Sequence, residues 1–198
     1  MNEMASDEVL MLRYKDGDLG AFESLVEKHQ KPLFSFVYRL CNDYHQTEDL
    51  VQEVFLRVIR MARQYEPRAK FTTYLYTLAH NVCIDHLRRK KTHRNVSLSD
   101  PLDPEKEFSI ENTMKDDRMN PEKEFHQKNF EAALQRAVEE LPTEQREVFL
   151  LRERQNLPFD QIAKIVGCLP STAKSRMRYA LQSIRTKLEN KFSLADIA

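Results

Sequence analysis

Tryptophan is absent from this sequence, and glycine occurs only three times, at Gly17, Gly20 and Gly167. So few glycines leave almost no residues for the tight positive-φ turns that β-hairpins need. Cysteine is nearly as scarce. Cys41, Cys83 and Cys168 are odd in number and far apart, which argues against a disulfide framework and suits a reducing compartment. No apolar run approaches the roughly 18–20 residues of a membrane span, and the first residues lack a basic-then-apolar export pattern. No membrane insertion and a cytoplasmic location are therefore expected. There is no G-x-S-x-G elbow and no phosphate-cradling glycine loop, so nothing points to an enzyme. His80, Cys83 and His86 recur every third residue, but on a helix His86 lies about 240° from His80, so the three do not converge on a metal. No cofactor or metal is expected.

What the sequence does hold is amphipathic helix. Hydrophobic content is 41% and charged content 31%, enough for a modest core under a polar surface. The predicted fold is all-α, with two small helical domains, residues 1–92 and 127–198, joined by a flexible acidic linker at 93–126. The net charge of zero conceals a sorting along the chain. Residues 1–96 hold 15 basic and 13 acidic side chains, residues 97–124 hold 4 and 9, and residues 170–191 hold 6 and 1. Basic ends around an acidic middle suggest nucleic-acid contacts at both ends.

The N-terminal part divides by its caps. Ser6 opens a short helix that Gly17 closes, and Asp18 caps the next, in which Pro32 marks a kink or a fresh start. Thr47 is the predicted cap of a third helix, with a buried stripe of Leu50, Val51, Val54, Phe55, Val58 and Ile59. Asp49, Gln52, Glu53 and Arg57 stay outside that stripe; spacing alone favours a solvated face with local ion pairs. After the loop 65–70, a long helix begins at Phe71. It mixes Phe71, Tyr74 and Tyr76 with Arg68 and Lys70 before it and Arg88 to Lys91 at its end. Such a mixture suits stacking on unpaired bases, and equally suits a core helix with a basic last turn.

The linker repeats one short pattern, Asp103-Pro104-Glu105-Lys106-Glu107-Phe108 and Asn120-Pro121-Glu122-Lys123-Glu124-Phe125, each of which can open a helix at its proline. The C-terminal part then reads as a helix-turn-helix. Phe159 to Val166 forms a short amphipathic helix, Gly167 supplies the turn, and a basic helix starts at Pro170. Ala173, Met177, Ala180, Leu181, Ile184 and Leu188 line its apolar side. Ser171, Thr172, Ser175, Tyr179 and Gln182 lie opposite, flanked by Lys174, Arg178 and Arg185 on one shoulder and Arg176 and Lys187 on the other. Cations that meet phosphates around groups that reach base edges fit a DNA groove; an ordinary solvated helix is the alternative.

The two parts together resemble a bacterial RNA polymerase sigma factor of the extracytoplasmic-function group. "TEDLVQEVFLRV" at 47–58 is similar to the family's polymerase-binding helix, and "FTTYLYTLAHNVCIDHLRR" at 71–89 to its promoter-melting helix. "LPTEQREVFLLRERQNLPFDQIAKIVG" followed by "STAKSR" at 171–176 is similar to its upstream-element domain. The resemblance implies an initiation factor without catalysis, whose partners are core RNA polymerase through its largest subunits, promoter DNA, and an anti-sigma factor. It implies polymerase docking by Asp49, Gln52, Glu53 and Arg57. It implies minus-ten recognition and base flipping by Arg68, Lys70, Phe71, Tyr74, Asn81, Arg88 and Arg89. It places Ser171, Thr172, Lys174, Ser175, Arg176 and Arg178 in the major groove of the minus-thirty-five element, and threads the linker toward the polymerase cleft. Departures are specific: Tyr74 stands where the family usually has Trp, and Thr77 and His80 where Arg is common. Pro158 and Leu169 replace customary serines, and Ala173 a customary Val. A stand-alone helix-turn-helix regulator is the competing reading.

Overall fold

The computed structural model describes residues 5–96 and 121–192, with only the backbone for 93–96 and 121–126. It contains α1 (Asp7–Lys15), α2 (Leu19–Cys41), α3 (Tyr44–Met61), a 3₁₀ turn (Ala62–Gln64), α4 (Phe71–Val96), α5 (Pro121–Glu139), α6 (Thr143–Glu153), α7 (Phe159–Val166) and α8 (Pro170–Glu189). The described residues contain no strand, as the glycine-poor sequence implies. None of their helices is long and apolar enough to cross a membrane. Helix enters the predicted linker from both ends, since α4 runs on to Val96 and α5 opens at Pro121. The helix expected at Pro104 lies outside the described residues.

Local chemistry sets most boundaries. Ser6 Oγ accepts the Val9 N–H to start α1, and Gly17 turns the chain at φ 102°. Asp18 accepts the Ala21 N–H to start α2, which passes through Pro32 without stopping. Asn42, left-handed at φ 50°, ends α2. The predicted Thr47 cap is corrected: Asp43 accepts the Gln46 N–H, so α3 begins one turn earlier, at Tyr44. Thr47 is instead fully buried, with its hydroxyl donating to the Asp43 carbonyl at 2.7 Å. Asp is the stronger cap of the two, and it comes first in the chain.

Two packed groups of helices share one continuous core. In the first, Leu33, Phe36, Val37 and Leu40 of α2 meet Val51, Val54 and Val58 of α3 and Leu75, Ala79 and Val82 of α4. The free thiols of Cys41 and Cys83 are also buried there, and the Cys41 thiol and burial together push Cys83 well up. In the second, Val148 and Leu151 of α6 and Ile162 and Ile165 of α7 close around Ala173, Met177, Ala180 and Ile184 of α8. Two residues assigned to apolar stripes are corrected: Ile59 is 41% exposed and Leu181 47%.

The groups join where α6 and α7 pack on α2 and α4. Thr73 Oγ1 donates to Gln161 Oε1 at 3.1 Å. His80 Nδ1 lies 2.5 Å from Glu147 Oε1, a carboxylate on a residue only 2% exposed. The neighbouring Arg146 donates to the Leu40 carbonyl at 3.2 Å, the Leu141 carbonyl at 3.0 Å, and the Glu139 carbonyl. One guanidinium thus satisfies carbonyls at the C-terminal ends of α2 and α5, where the helix dipole favours a cation.

His80→Ala is expected to leave Glu147 buried without its imidazole and to cost about 3 kcal/mol in urea unfolding. Arg146→Met strands three carbonyls and is expected to cost about as much, read as a lowered midpoint with an unchanged slope.

Candidate functional site

Three surfaces carry the residues singled out from the sequence. On α3, Asp49 and Gln52 are exposed, and Glu53 is half-buried. Glu53 Oε1 accepts from Arg57 Nε at 2.8 Å, with Arg60 3.5 Å away. The Arg57 hydrogen bond, helped by the Arg60 charge, holds the Glu53 carboxyl below its ordinary range. The ion pair engages one carboxylate oxygen, Oε1. Beside this patch runs a shallow groove of about 320 Å³ between α2 and α3, lined by Val26, Gln30, Val51, Gln52, Phe55, Leu56 and Ile59. Leu56 is 45% exposed. The sequence reading missed this groove, because it placed Ile59 inside and gave Leu56 no role. The signal available was an apolar residue off the stripe at Leu56, adjacent to the acid–amide cluster.

The second surface is the loop 65–70 with α4. Arg68 and Lys70 are exposed, and Arg68 Nε bonds Glu66 Oε2 at 2.6 Å. Asn81, Arg88 and Arg89 are exposed along α4. Tyr74 is half-buried, its hydroxyl pushed up by burial and without a hydrogen-bond partner. Phe71 does not join them. Its ring is 1% exposed, 5.4 Å from His29 and 6.3 Å from Tyr65. It floors the loop from inside, so the stacking face expected from it is not offered to solvent. Tyr65 is buried as well, and burial first, then nearby Glu8, pushes its hydroxyl up to about 12. The two positions where the resembled family has arginine are engaged internally: Thr77 Oγ1 donates to the Thr73 carbonyl at 2.7 Å, and His80 meets Glu147.

The third surface is α8. Gly167, at φ 65°, turns α7 into it, and the Cys168 N–H donates to the Ala163 carbonyl at 3.0 Å. Leu169 precedes the helix 69% exposed and supplies no side-chain cap; the helix starts on Pro170. Ser171, Lys174 and Arg178 are exposed, while Thr172, Ser175 and Arg176 are half-buried. Arg176 is drawn to Glu144 of α6 at 2.7 Å, and Lys187 pairs with Glu140. The Arg178 guanidinium lies 5.1 Å from the Tyr179 ring centre, which splays it along the exposed face. Ala173, buried under the turn, lets α8 approach α7 closely.

The sequence matches the family Sigma-70 region 2 over residues 25–93 and Sigma-70, region 4 over residues 131–184. It is 30% identical over 189 residues to the ECF RNA polymerase sigma-E factor of Escherichia coli, covering 96% of this chain and 97% of that one. It is 28% identical over 186 residues to the RNA polymerase sigma-H factor of Pseudomonas aeruginosa, covering 92% and 94%. Two solved structures share the fold. One is the sigma factor RpoE in complex with the anti-sigma factor NepR from Bartonella quintana (TM-score 0.69, 19% identity, 85% of this chain and 96% of that one). The other is CnrH in complex with the cytosolic domain of CnrY (TM-score 0.67, 18% identity, 95% and 100%). Helices α2 to α4 and α5 to α8 are thus the two sigma regions in their expected order, and the chain belongs to the extracytoplasmic-function sigma factors, which direct RNA polymerase to promoters.

Proposed function

We propose that this chain carries out that task through the three surfaces just described, with no catalysis of its own. Asp49, Gln52 and Glu53 dock on the largest subunits of core polymerase, with Arg57 holding Glu53 in place. The apolar groove beside them takes the hydrophobic part of that contact. Arg68, Lys70, Tyr74 and Asn81 engage the minus-ten element as a base is extruded, and Arg88 and Arg89 hold phosphates. Phe71 supports the loop from beneath. Lys174, Arg176 and Arg178 bind the backbone of the minus-thirty-five element while Ser171, Thr172 and Ser175 meet base edges. The observation that carries this reading is the exposed acid–amide patch of α3 beside an unfilled apolar groove, on the same group of helices as the exposed Asn81, Arg88 and Arg89 of α4. The factor acts in the cytoplasm, as its family does. It is held in check by an anti-sigma protein, a reading supported by the NepR complex of its structural neighbour.

The packed arrangement bears on how it starts. Thr73 and His80 of the melting helix are occupied by Gln161 and Glu147, and Arg176 by Glu144. Those contacts give way when polymerase spreads the two regions along a promoter.

Run-off transcription with purified core polymerase tests the assignment. Addition of this chain is expected to create promoter-specific transcripts, and Asp49→Arg or Leu56→Asp to abolish core binding while the fold persists. Tight binding of duplex promoter DNA by the chain alone, with no effect of either substitution on core affinity, would replace this reading with that of a stand-alone regulator. Lys174→Ala and Arg178→Ala are each expected to weaken upstream-element binding and to reduce the log–log salt slope by about 1.

A further inference from the structure

Helix α1 ties down both ends of the loop that precedes the melting helix. Lys15 Nζ donates to the Tyr65 carbonyl at 3.0 Å, and Glu8 Oε1 accepts the Phe71 N–H at 2.8 Å. Phe71 N–H is the first of the orphan donors at the start of α4, and the residue before it, Lys70, has no side chain able to accept it. A carboxylate from another helix therefore does the capping, at the end where the dipole favours negative charge. That hydrogen bond is also the main cause of a Glu8 carboxyl held below its ordinary range.

Glu8 and Lys15 are seven residues apart, two turns on one face of a helix, so their Cα atoms are about 10 Å apart along the axis. The six steps from Tyr65 to Phe71 can extend to about 20 Å. The Tyr65 and Phe71 rings at its two ends lie 6.3 Å apart, so the chain between the anchors bows outward, and residues 66–70 are all exposed. Helix α1 is itself fixed to α2. Asp7 is only 9% exposed, and its two oxygens meet Lys28 Nζ at 2.6 Å and His29 Nε2 at 2.9 Å, both on α2. Tyr14 stacks on Phe22 of the same helix at 4.5 Å.

The geometry points to Glu8 and Lys15 as positioning residues for promoter opening: α1 sets the height and curvature of the loop that presents Arg68 and Lys70 to the unpaired minus-ten strand. This rests on the reading of that loop as a minus-ten contact.

The test uses holoenzyme reconstituted with core polymerase and a fork-junction oligonucleotide carrying 2-aminopurine in its single-stranded part. The oligonucleotide is selected from a randomised library by the unaltered protein. Glu8→Ala and Lys15→Met are each expected to weaken probe binding about fivefold and to slow the fluorescence rise that reports base extrusion. Core affinity and binding of the upstream duplex stay where they were, while the urea midpoint falls only slightly, as the loss of one helix cap requires. Glu8→Gln, which keeps the accepting Oε1, and Lys15→Arg are expected to restore binding. On an Arg68→Ala, Lys70→Ala background, Glu8→Ala is expected to add nothing further. If the double variant weakens the probe while Glu8→Ala and Lys15→Met do not, the loop reading stands and the positioning role falls. If the double variant itself has no effect, both fall. Losses in core affinity and upstream-duplex binding as large as the loss in probe binding would reduce α1 to a structural prop and overturn the proposal.

Discussion

A carboxylate on a residue only 2% exposed needs a partner, and Glu147 finds it on the other group of helices, at His80. Burying an unpaired carboxylate is so unfavourable that such a group is neutralised or paired rather than left alone. Arg146 next to it obeys the same constraint in the other sign, its guanidinium spread over carbonyls of α2, the end of α5 and the α5–α6 junction. These two consecutive residues of α6 dictate how the sigma regions sit together here. Apolar contact supplies the bulk of the attraction, but it is non-directional. The register of α6 across α2 and α4 comes from the charged pair.

That closure explains two departures from the family pattern. An arginine at position 80 would also pair with Glu147, but would be a larger, permanently charged group at a half-buried site. Histidine reaches Glu147 at 2.5 Å with a smaller side chain, and Thr77 turns its hydroxyl back on α4 itself. At these two positions α4 carries no permanent cation, and His80 lies where region 4 packs. On the proposed reading, phosphate contact on α4 falls to Arg88 and Arg89, which are exposed farther along the helix.

Helix existence was legible throughout, because the 3.6-residue period and the caps Ser6, Asp18 and Gly167 are written in contiguous residues. Where two local signals competed, the sequence misled: Thr47 with the acids after it looks like a cap, yet Asp43 lies a turn upstream and wins. Ile59 and Leu181 fit their stripes by angle but fall at edges no neighbouring helix covers. The acid–amide patch of α3 and the exposed face of α8 were visible as residue types, and the burial of Phe71 was not, since an aromatic beside cations reads alike whether it faces solvent or core. Least legible were the long-range polar ties. Thr73, Gln161, His80 and Glu147 each look like ordinary surface positions, and only partners 67 and 88 residues away bury them.

The ties of α1 belong to the same class and show why it matters. A flexible loop pays conformational entropy each time it is ordered against a ligand, about 1–2 kcal/mol for each residue fixed. A loop already anchored at both ends pays less of it on binding, so more of the contact energy is left to hold a base outside the stack. The loop 65–70 has little order of its own beyond the buried Tyr65 ring and the contacts between Arg68 and Glu66; its polar ties to another helix come from Glu8 and Lys15, 63 and 50 residues earlier. With both anchors on one helix, and that helix locked to α2 through Asp7, a disturbance of the loop must be resisted by the core of region 2. Strand opening then draws on the rigidity of the whole helical group rather than on five exposed residues.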